Sequence, residues 1–311
     1  VTNMLKAVNL TKKYGSHEVL KGISFEIKKG MIYGFLGQNG AGKSTTMNIL
    51  TGLIGYNNGE IYLKGKPLKE DKRKLLETVG YLPQHPVFYG YMTALEYLNF
   101  IGQVNKMSPK EIKERSKEIL EIVKLTDASK RKVGGYSGGM KQRFGMAVAM
   151  FNHPEILILD EPTSALDPEG RMEVLELIEK LKSDGTTVFL STHILNDVER
   201  VCDEVSILHE GKIVISENLE ELRNKYIQPI YDVEFEEECS GIKKKLLPLS
   251  WVQNVSIVKN QASIYVSDLS IAKQELLKTL AAEQNHIVSF NLRKSNLEDI
   301  FLRLVNKNVD L

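Results

Sequence analysis

Ile32-Tyr-Gly-Phe-Leu-Gly37-Gln-Asn-Gly-Ala-Gly-Lys-Ser44 is the stretch on which the fold turns. Ile32 to Leu36 is a short apolar run that reads as a strand, and Gly42 to Leu53 has the spacing of a helix, so a glycine loop joins the two. Gly37 to Ser44 matches G-x-x-x-x-G-K-[ST], a pattern that gains its meaning from a strand before it and a helix after it. Gly37, Gly40 and Gly42 lack a Cβ, so backbone N–H groups can turn inward around a phosphate while the helix N-terminus adds partial positive charge. Lys43 is expected to bridge β- and γ-phosphates, Ser44 to place its hydroxyl on Mg²⁺ and Thr45 to lie near the α-phosphate, with Asn39 and Ala41 completing the loop. The expectation is binding of a nucleoside triphosphate.

Working outward, Val19 to Ile27 alternates as a strand, and two later runs, Ile156 to Leu159 and Thr187 to Ser191, look like buried strands of a parallel sheet. Between them Pro168 to Ser183 reads as an amphipathic helix with Met172, Leu175, Ile178 and Leu181 at helical spacing. Residues 93 to 150 hold helical stretches such as Ser108 to Lys124 and no strand, so a helical insertion interrupts the sheet. The pattern is α/β. The run from Ile156 ends in Asp160-Glu161. At the C-terminal end of a buried strand, Asp160 is expected to hold Mg²⁺, mainly through water, while Glu161, one residue on, points differently and reaches the attacking water as general base or polariser. Alone, such an ending is as readily a strand running into solvent; the phosphate loop makes it a site.

Composition sets outer limits. A chain of 311 residues is about two domains' worth, and 41 Lys+Arg against 40 Asp+Glu give a formal charge of +1. No global field draws in nucleic acid or an anionic membrane. Hydrophobic residues at 42% and charged residues at 26% are a globular composition. No run of about 18 apolar residues occurs, and Val1 to Lys13 mixes Lys and Asn into its apolar positions, so neither a membrane span nor a secretory signal is expected. Cys202 and Cys239 make no disulfide framework and sit in no metal-ligand spacing, which fits a reducing cytosol. Residues 1–217 and 218–311 read as separate domains. In the second, the expected order is strand (Tyr231 to Glu237), helix (Ile242 to Leu247), strands (Val252 to Lys259, Ala262 to Val266), helix (Ile271 to Glu283), strand (Ile287 to Leu292) and helix (Leu297 to Val305), the order of a ferredoxin-like α+β unit.

Ser137-Gly-Gly-Met-Lys-Gln-Arg143 precedes Asp160 and stands ahead of a helix expected from Met140 to Phe151, so Ser137, Gly138 and Gly139 form a second anion site at a helix N-terminus. With this segment, the chain from Met4 to about Ile215 resembles the nucleotide-binding subunit of an ATP-binding cassette (ABC) transporter. The motifs run in family order: Tyr14 in Lys-Lys-Tyr-Gly, the phosphate loop, Gln84 in Tyr-Leu-Pro-Gln-His-Pro, the signature at Ser137, Asp160-Glu161, Ser164-Ala-Leu-Asp167 and His193 in Ser-Thr-His. Met140 departs from the Gln often found there.

The resemblance implies a P-loop ATPase domain with a mixed sheet and a helical subdomain over about residues 85–150. It implies that Tyr14 stacks on adenine, that Gln84 touches Mg²⁺ and the attacking water, and that His85 to Tyr97 faces a membrane partner. His193 would hydrogen-bond the γ-phosphate and Glu161. Two copies would sandwich two ATP molecules head to tail, the signature of one closing on the phosphate loop of the other, with Asp167 along that interface. A separate transmembrane permease chain would carry the substrate, outward rather than inward, with this chain at the cytoplasmic face of a bacterial membrane. Asn296-Leu-Glu-Asp-Ile-Phe-Leu302 is similar to the ending of the drug-resistance exporter subgroup, and Leu297, Ile300, Phe301 and Leu304 read equally as an ordinary amphipathic docking helix. A non-transport ABC ATPase acting on nucleic acid or the ribosome is the alternative. It is disfavoured by the absence of sustained heptads between phosphate loop and signature, by the single cassette and by the near-neutral charge. A binding regulator without turnover is disfavoured by the presence of both Glu161 and His193.

Overall fold

The computed structural model describes residues 3–164, 166–226, 229–239, 241–281, 286–294, 297, 299 and 300. Two long strands come first, β1 (Asn3–Tyr14) and β2 (His17–Lys28). β3 (Ile32–Gly37) then leads through the phosphate loop into α1 (Lys43–Leu50). β4 (Asn58–Leu63), the short β5 (Lys66–Pro67), α2 (Lys72–Leu76) and β6 (Val79–Leu82) follow. Three helices, α3 (Ala94–Val104), α4 (Pro109–Ile122) and α5 (Gly138–Met150), form the insertion. The chain returns through β7 (Ile156–Asp160), α6 (Pro168–Ser183), β8 (Thr187–Thr192), α7 (Leu195–Val201), β9 (Glu204–His209), β10 (Lys212–Asn218) and α8 (Leu219–Tyr226).

These strands make two sheets. The larger has the order β10-β9-β3-β8-β7-β6, parallel except for β10, which pairs antiparallel to β9 at the edge. Every position of β3, β7 and β8 is buried, which explains why they read as short, nearly unbroken apolar runs. The smaller sheet, β2-β1-β4-β5, is antiparallel. In it Ile23, Phe25 and Ile27 are buried while Ser24, Glu26 and Lys28 face out, the period-two pattern of a half-covered strand. Phe25 joins the two sheets: its ring lies 6.1, 5.5 and 5.6 Å from those of Tyr33, Phe35 and Phe189.

Helix ends follow from local chemistry, and three expectations are corrected by it. α1 stops at Leu50 rather than Leu53, because Gly52 takes a left-handed φ of 73° and the N–H groups of Gly52 and Leu53 donate to the carbonyls of Ile49 and Asn48 at 3.0 and 2.9 Å. α5 starts at Gly138, not Met140, with Ser137 as its N-cap, so Gly138 and Gly139 belong to its first turn. α6 has the expected bounds, but Met172 is 46% exposed, and Val174, Leu175 and Ile178 are the buried stripe. Steps of three residues precess by about 60° each on a 3.6-residue helix, so the 172-175-178-181 series walks off one face.

The chain divides into two compact units, Val1–Leu219 and Glu220–Leu311. The second holds β11 (Pro229–Phe235), α9 (Ile242–Leu246), β12 (Val252–Val258), β13 (Gln261–Val266), α10 (Leu269–Ala281) and β14 (Ile287–Lys294). Its strands form one antiparallel sheet, β12-β13-β11-β14, with the first and third strands central, as a ferredoxin-like chain order requires. The expected helix over Leu297–Val305 lies largely outside the described residues. Among the described residues no helix is long and apolar enough to cross a membrane. Cys202 and Cys239 are free and buried, and burial pushes both thiols up.

Candidate functional site

Parallel strands end on one edge of their sheet. β3, β8, β7 and β6 are neighbours in that order and end at Gly37, Thr192, Asp160 and Leu82. The phosphate loop, His193, Glu161 and Gln84 therefore emerge on the same carboxyl edge, where α/β sheets bind ligands.

Two glycines of the loop are obligatory on steric grounds. Gly42 caps α1 at φ 112°, and a Cβ there would lie 2.7 Å from Leu20 Cδ2. A Cβ on Gly37 would lie 2.6 Å from the Leu208 carbonyl oxygen. The first turn of α1 carries no acidic side chain, so its N–H groups and dipole remain unneutralised by the chain itself. Lys43 is buried and folds over the loop, its Nζ donating to the carbonyls of Gly37 at 2.7 Å and Gln38 at 3.3 Å.

Asp160 closes β7, and its Oδ1 accepts a hydrogen bond from the Ser191 hydroxyl. Glu161 then turns sharply. Its φ of 49° is a left-handed conformation rare for a residue with a Cβ. Its N–H is held by both the Ser191 carbonyl at 3.1 Å and the Ser191 Oγ at 3.2 Å. The turn swings the carboxylate away from Asp160: Oε2 meets His193 Nδ1 at 2.9 Å, and Oε1 stands 3.3 Å from Lys43 Nζ. Lys43 directs its hydrogens to the loop carbonyls, so Oε1 is buried without a hydrogen bond of its own. With Glu161 ionised, Nδ1 of His193 is the donor in that pair.

These groups surround a cleft of about 470 Å³ lined by Asn39, Gly40, Gly42, Lys43, Ser44, Thr45, Gln84 and Glu161, with Val19 added from β2. Gly37, Ala41, Asp160 and His193 are not among its lining residues. Tyr14 is not among the lining residues either: it is half exposed near the β1–β2 turn, with Lys12 Nζ 4.8 Å from its ring centroid. A second cleft of about 400 Å³ shares no residue with the first. It is lined by Ser137, Gly139, Met140 and Arg143 of the signature region, by Leu166, Asp167, Glu169 and Gly170 where α6 opens, and by Glu173 one turn further on. Ser137 Oγ accepts from Met140 N–H at 3.3 Å, and Asp167 Oδ1 from Gly170 N–H at 2.9 Å. The N-terminal ends of α1 and α5 thus line separate clefts on one unit.

Nearly the whole chain has a counterpart in the ABC transporter ATP-binding protein YxlF of Bacillus subtilis (strain 168), 39% identical over 305 residues, 97% of this chain and 100% of that protein. The chain belongs to the ABC transporter ATP-binding proteins. Residues 20–164 match the family described as ABC transporter, and residues 218–305 match the C-terminal domain described as ATP-binding protein DrrA1-3-like. The linearmycin resistance ATP-binding protein LnrL of the same organism is 34% identical over 98% of this chain and 99% of its own. Among solved structures, a dimeric ATP-binding cassette in a post-hydrolysis state with ADP and Pi is similar with a TM-score of 0.64 and 31% identity, over 70% of this chain and 99% of that one.

As an ABC transporter ATP-binding protein, the chain binds nucleotide and is the ATPase of a transporter. Its own residues fit that cofactor. The loop is a cradle that a Cβ at 37 or 42 would fill, and Glu161 Oε1, which accepts no hydrogen bond, stands 3.3 Å from Lys43 Nζ beside it. Ser44 and Gln84, which line the cleft, and Asp160 at the end of β7 carry hard oxygen donors of the kind that would suit Mg²⁺ alongside phosphate. Reading the sequence missed two participants. Val19 was hidden as one position of an alternating strand. Ser191, which holds both Asp160 and Glu161, looked like the end of a buried run, and only the β7–β8 register reveals its place.

Proposed function

We propose that two copies of this chain close head to tail over two nucleotides and hydrolyse ATP to drive export through a separate membrane chain. The observation that carries the reading is the Glu161 carboxylate: buried, turned toward the phosphate loop by a left-handed backbone, fixed at one oxygen by His193, and at the other facing Lys43 Nζ at 3.3 Å without a hydrogen bond. The loop N–H groups and Lys43 would hold the phosphates, and Ser44, Gln84 and Asp160 would hold Mg²⁺, which when bound offsets charge on the phosphates. Glu161 Oε1 takes the proton of the attacking water, while the His193 contact at Oε2 keeps the carboxylate from rotating. His193 Nδ1–H is committed to Glu161, so its Nε2 donates to a phosphate oxygen only as the imidazolium.

Separate lining of the two clefts supports the head-to-tail pairing, because a signature cleft that shares no residue with its own loop's cleft can serve a second copy's loop. Exposed apolar side chains support a membrane partner: after Gln84, Val87, Tyr89 and Tyr91 are 88%, 54% and 67% exposed, and Phe100 and Val104 of α3 are exposed as well. The name of LnrL supports export of an antibiotic-type compound. The test is Glu161→Gln, which keeps shape and loses the base. Phosphate release should fall by about 10²–10⁴, while light scattering with ATP shows dimer accumulating. A variant that turns over normally overturns the reading.

A further inference from the structure

The turn Glu161-Pro162-Thr163 is tied at three successive residues to three different elements. Ser191 of β8 holds the Glu161 N–H. Asp197 of α7 accepts from Thr163 Oγ1 at 2.6 Å. Between them, the Pro162 carbonyl accepts from Gln142 Nε2 of α5 at 3.1 Å. Gln142 is 2% exposed, and its amide nitrogen must be the atom facing Pro162, since a carbonyl cannot donate. Of the three ties, only this one comes from the helix whose first turn bears the signature.

We propose that Gln142 is a positioning residue that couples the signature helix to the catalytic carboxylate of the same chain. The inference rests on the reading of Glu161 as the base. Ser137 caps α5, and Gln142 lies five residues further along, about 7.5 Å up the same rigid rod. When an anion seats at the Ser137 end, any tilt of α5 moves the Gln142 amide. A hydrogen bond of 3.1 Å tolerates little movement before it weakens, so the displacement passes to Pro162 and to the residue before it. Glu161 is poised to respond, because its left-handed φ of 49° persists only while its surroundings over-determine it. Occupancy of the signature site by a partner's nucleotide is thereby communicated to this chain's own base.

The test uses the full-length chain, with ATPase kinetics across about pH 5 to 9 and fluorescent ATP-analogue affinity measured beside it. Gln142→Leu removes the donor and should lower kcat about 10-fold or more, with nucleotide affinity within about 2-fold. Gln142→Glu supplies a titratable donor. Buried against a carbonyl, its carboxyl is raised above its ordinary range and donates O–H to Pro162 when protonated. Its kcat relative to the unaltered chain should fall as pH rises, whereas the ratio for Gln142→Leu stays flat. If Gln142→Leu does not fold, the pH profile of Gln142→Glu decides alone. A kcat within about 2-fold for Gln142→Leu, or equal, pH-independent losses in both variants, overturns the coupling. Glu161→Gln in the same assay separates the two readings: if it turns over normally, the base assignment has failed, and if it is inactive while Gln142→Leu is not, the coupling alone has failed.

Discussion

Gly42 carries two independent constraints, one conformational and one steric. Its φ of 112° lies where a side chain strains the backbone, and a Cβ would press to 2.7 Å from Leu20 Cδ2 and 3.3 Å from the Val19 carbonyl. Leu20 could shift; the backbone of β2 and the dihedral cannot do so cheaply. Gly42→Ala should therefore cost about 1–3 kcal/mol of stability and also abolish ATP binding, since relief of the strain tilts the first turn of α1 away from the loop. Thermal unfolding and equilibrium nucleotide binding check the two halves separately, and a variant of unchanged stability would refute the steric argument. The site residues that could be read from the sequence are those whose chemistry is visible one residue at a time: lysine, hydroxyl, carboxylate, imidazole in a known order. Gln142, Ser191 and Asp197 were not legible, because each acts through contacts to residues 20 to 34 positions away. Only the register of β7 against β8 and the seat of α5 bring them together.

At the scale of elements, legibility followed length and burial. The sixteen-residue α6 had its bounds set by Asp167, Pro168 and the Gly185 turn at φ 89°, and was read correctly. The four-residue β6, which delivers Gln84 to the sheet edge, was missed because so short a run carries no period. β1 was missed because register shifts interrupt its alternation and leave Met4 and Leu5 buried side by side, and β4 because it opens on Asn58-Gly59, which reads as a turn. The capping boxes of α3 and α4 give an element-level prediction. The Glu111 carboxyl is held below its ordinary range by hydrogen bonding with the Ser108 side chain and then its backbone N–H, and Glu96 by the Thr93 backbone N–H and then its hydroxyl. A carboxyl lowered in the folded state stabilises above the unfolded value of 4.5, and that contribution is lost as pH falls through the lowered value. Glu111→Ala should thus unfold at a lower temperature than the unaltered chain at neutral pH, with the gap closing below about pH 4. Parallel melts at stepped pH measure it, and a gap that persists into acid would show that the carboxylate is not the cause.

For the whole molecule, the question is whether the second unit is needed to build the first. Among the described residues, two hydrophobic clusters, one in each unit, have no member in common. One gathers residues from Met4 to Leu208 around the Phe25–Tyr33–Phe35–Phe189 rings, and the other gathers residues from Tyr231 to Leu280 around the antiparallel sheet. Where the chain is cut decides the outcome. Asn218 still pairs with Glu204 in the six-stranded sheet, and the Leu219 N–H donates to the Asp203 carbonyl at 2.8 Å. Asp203 in turn accepts at 2.8 Å from the N–H of Ile32, the first residue of the strand that enters the phosphate loop. A truncation that removes residues 218–311 therefore takes the end of β10 and a support of β3 with it, whereas one that removes residues 220–311 leaves every strand of both sheets intact. The longer fragment should stay soluble and bind nucleotide with unchanged affinity, and the shorter should melt at a lower temperature. Equal behaviour of the two would contradict the role given to Asn218 and Leu219, and a nucleotide-blind longer fragment would contradict the independence of the two cores.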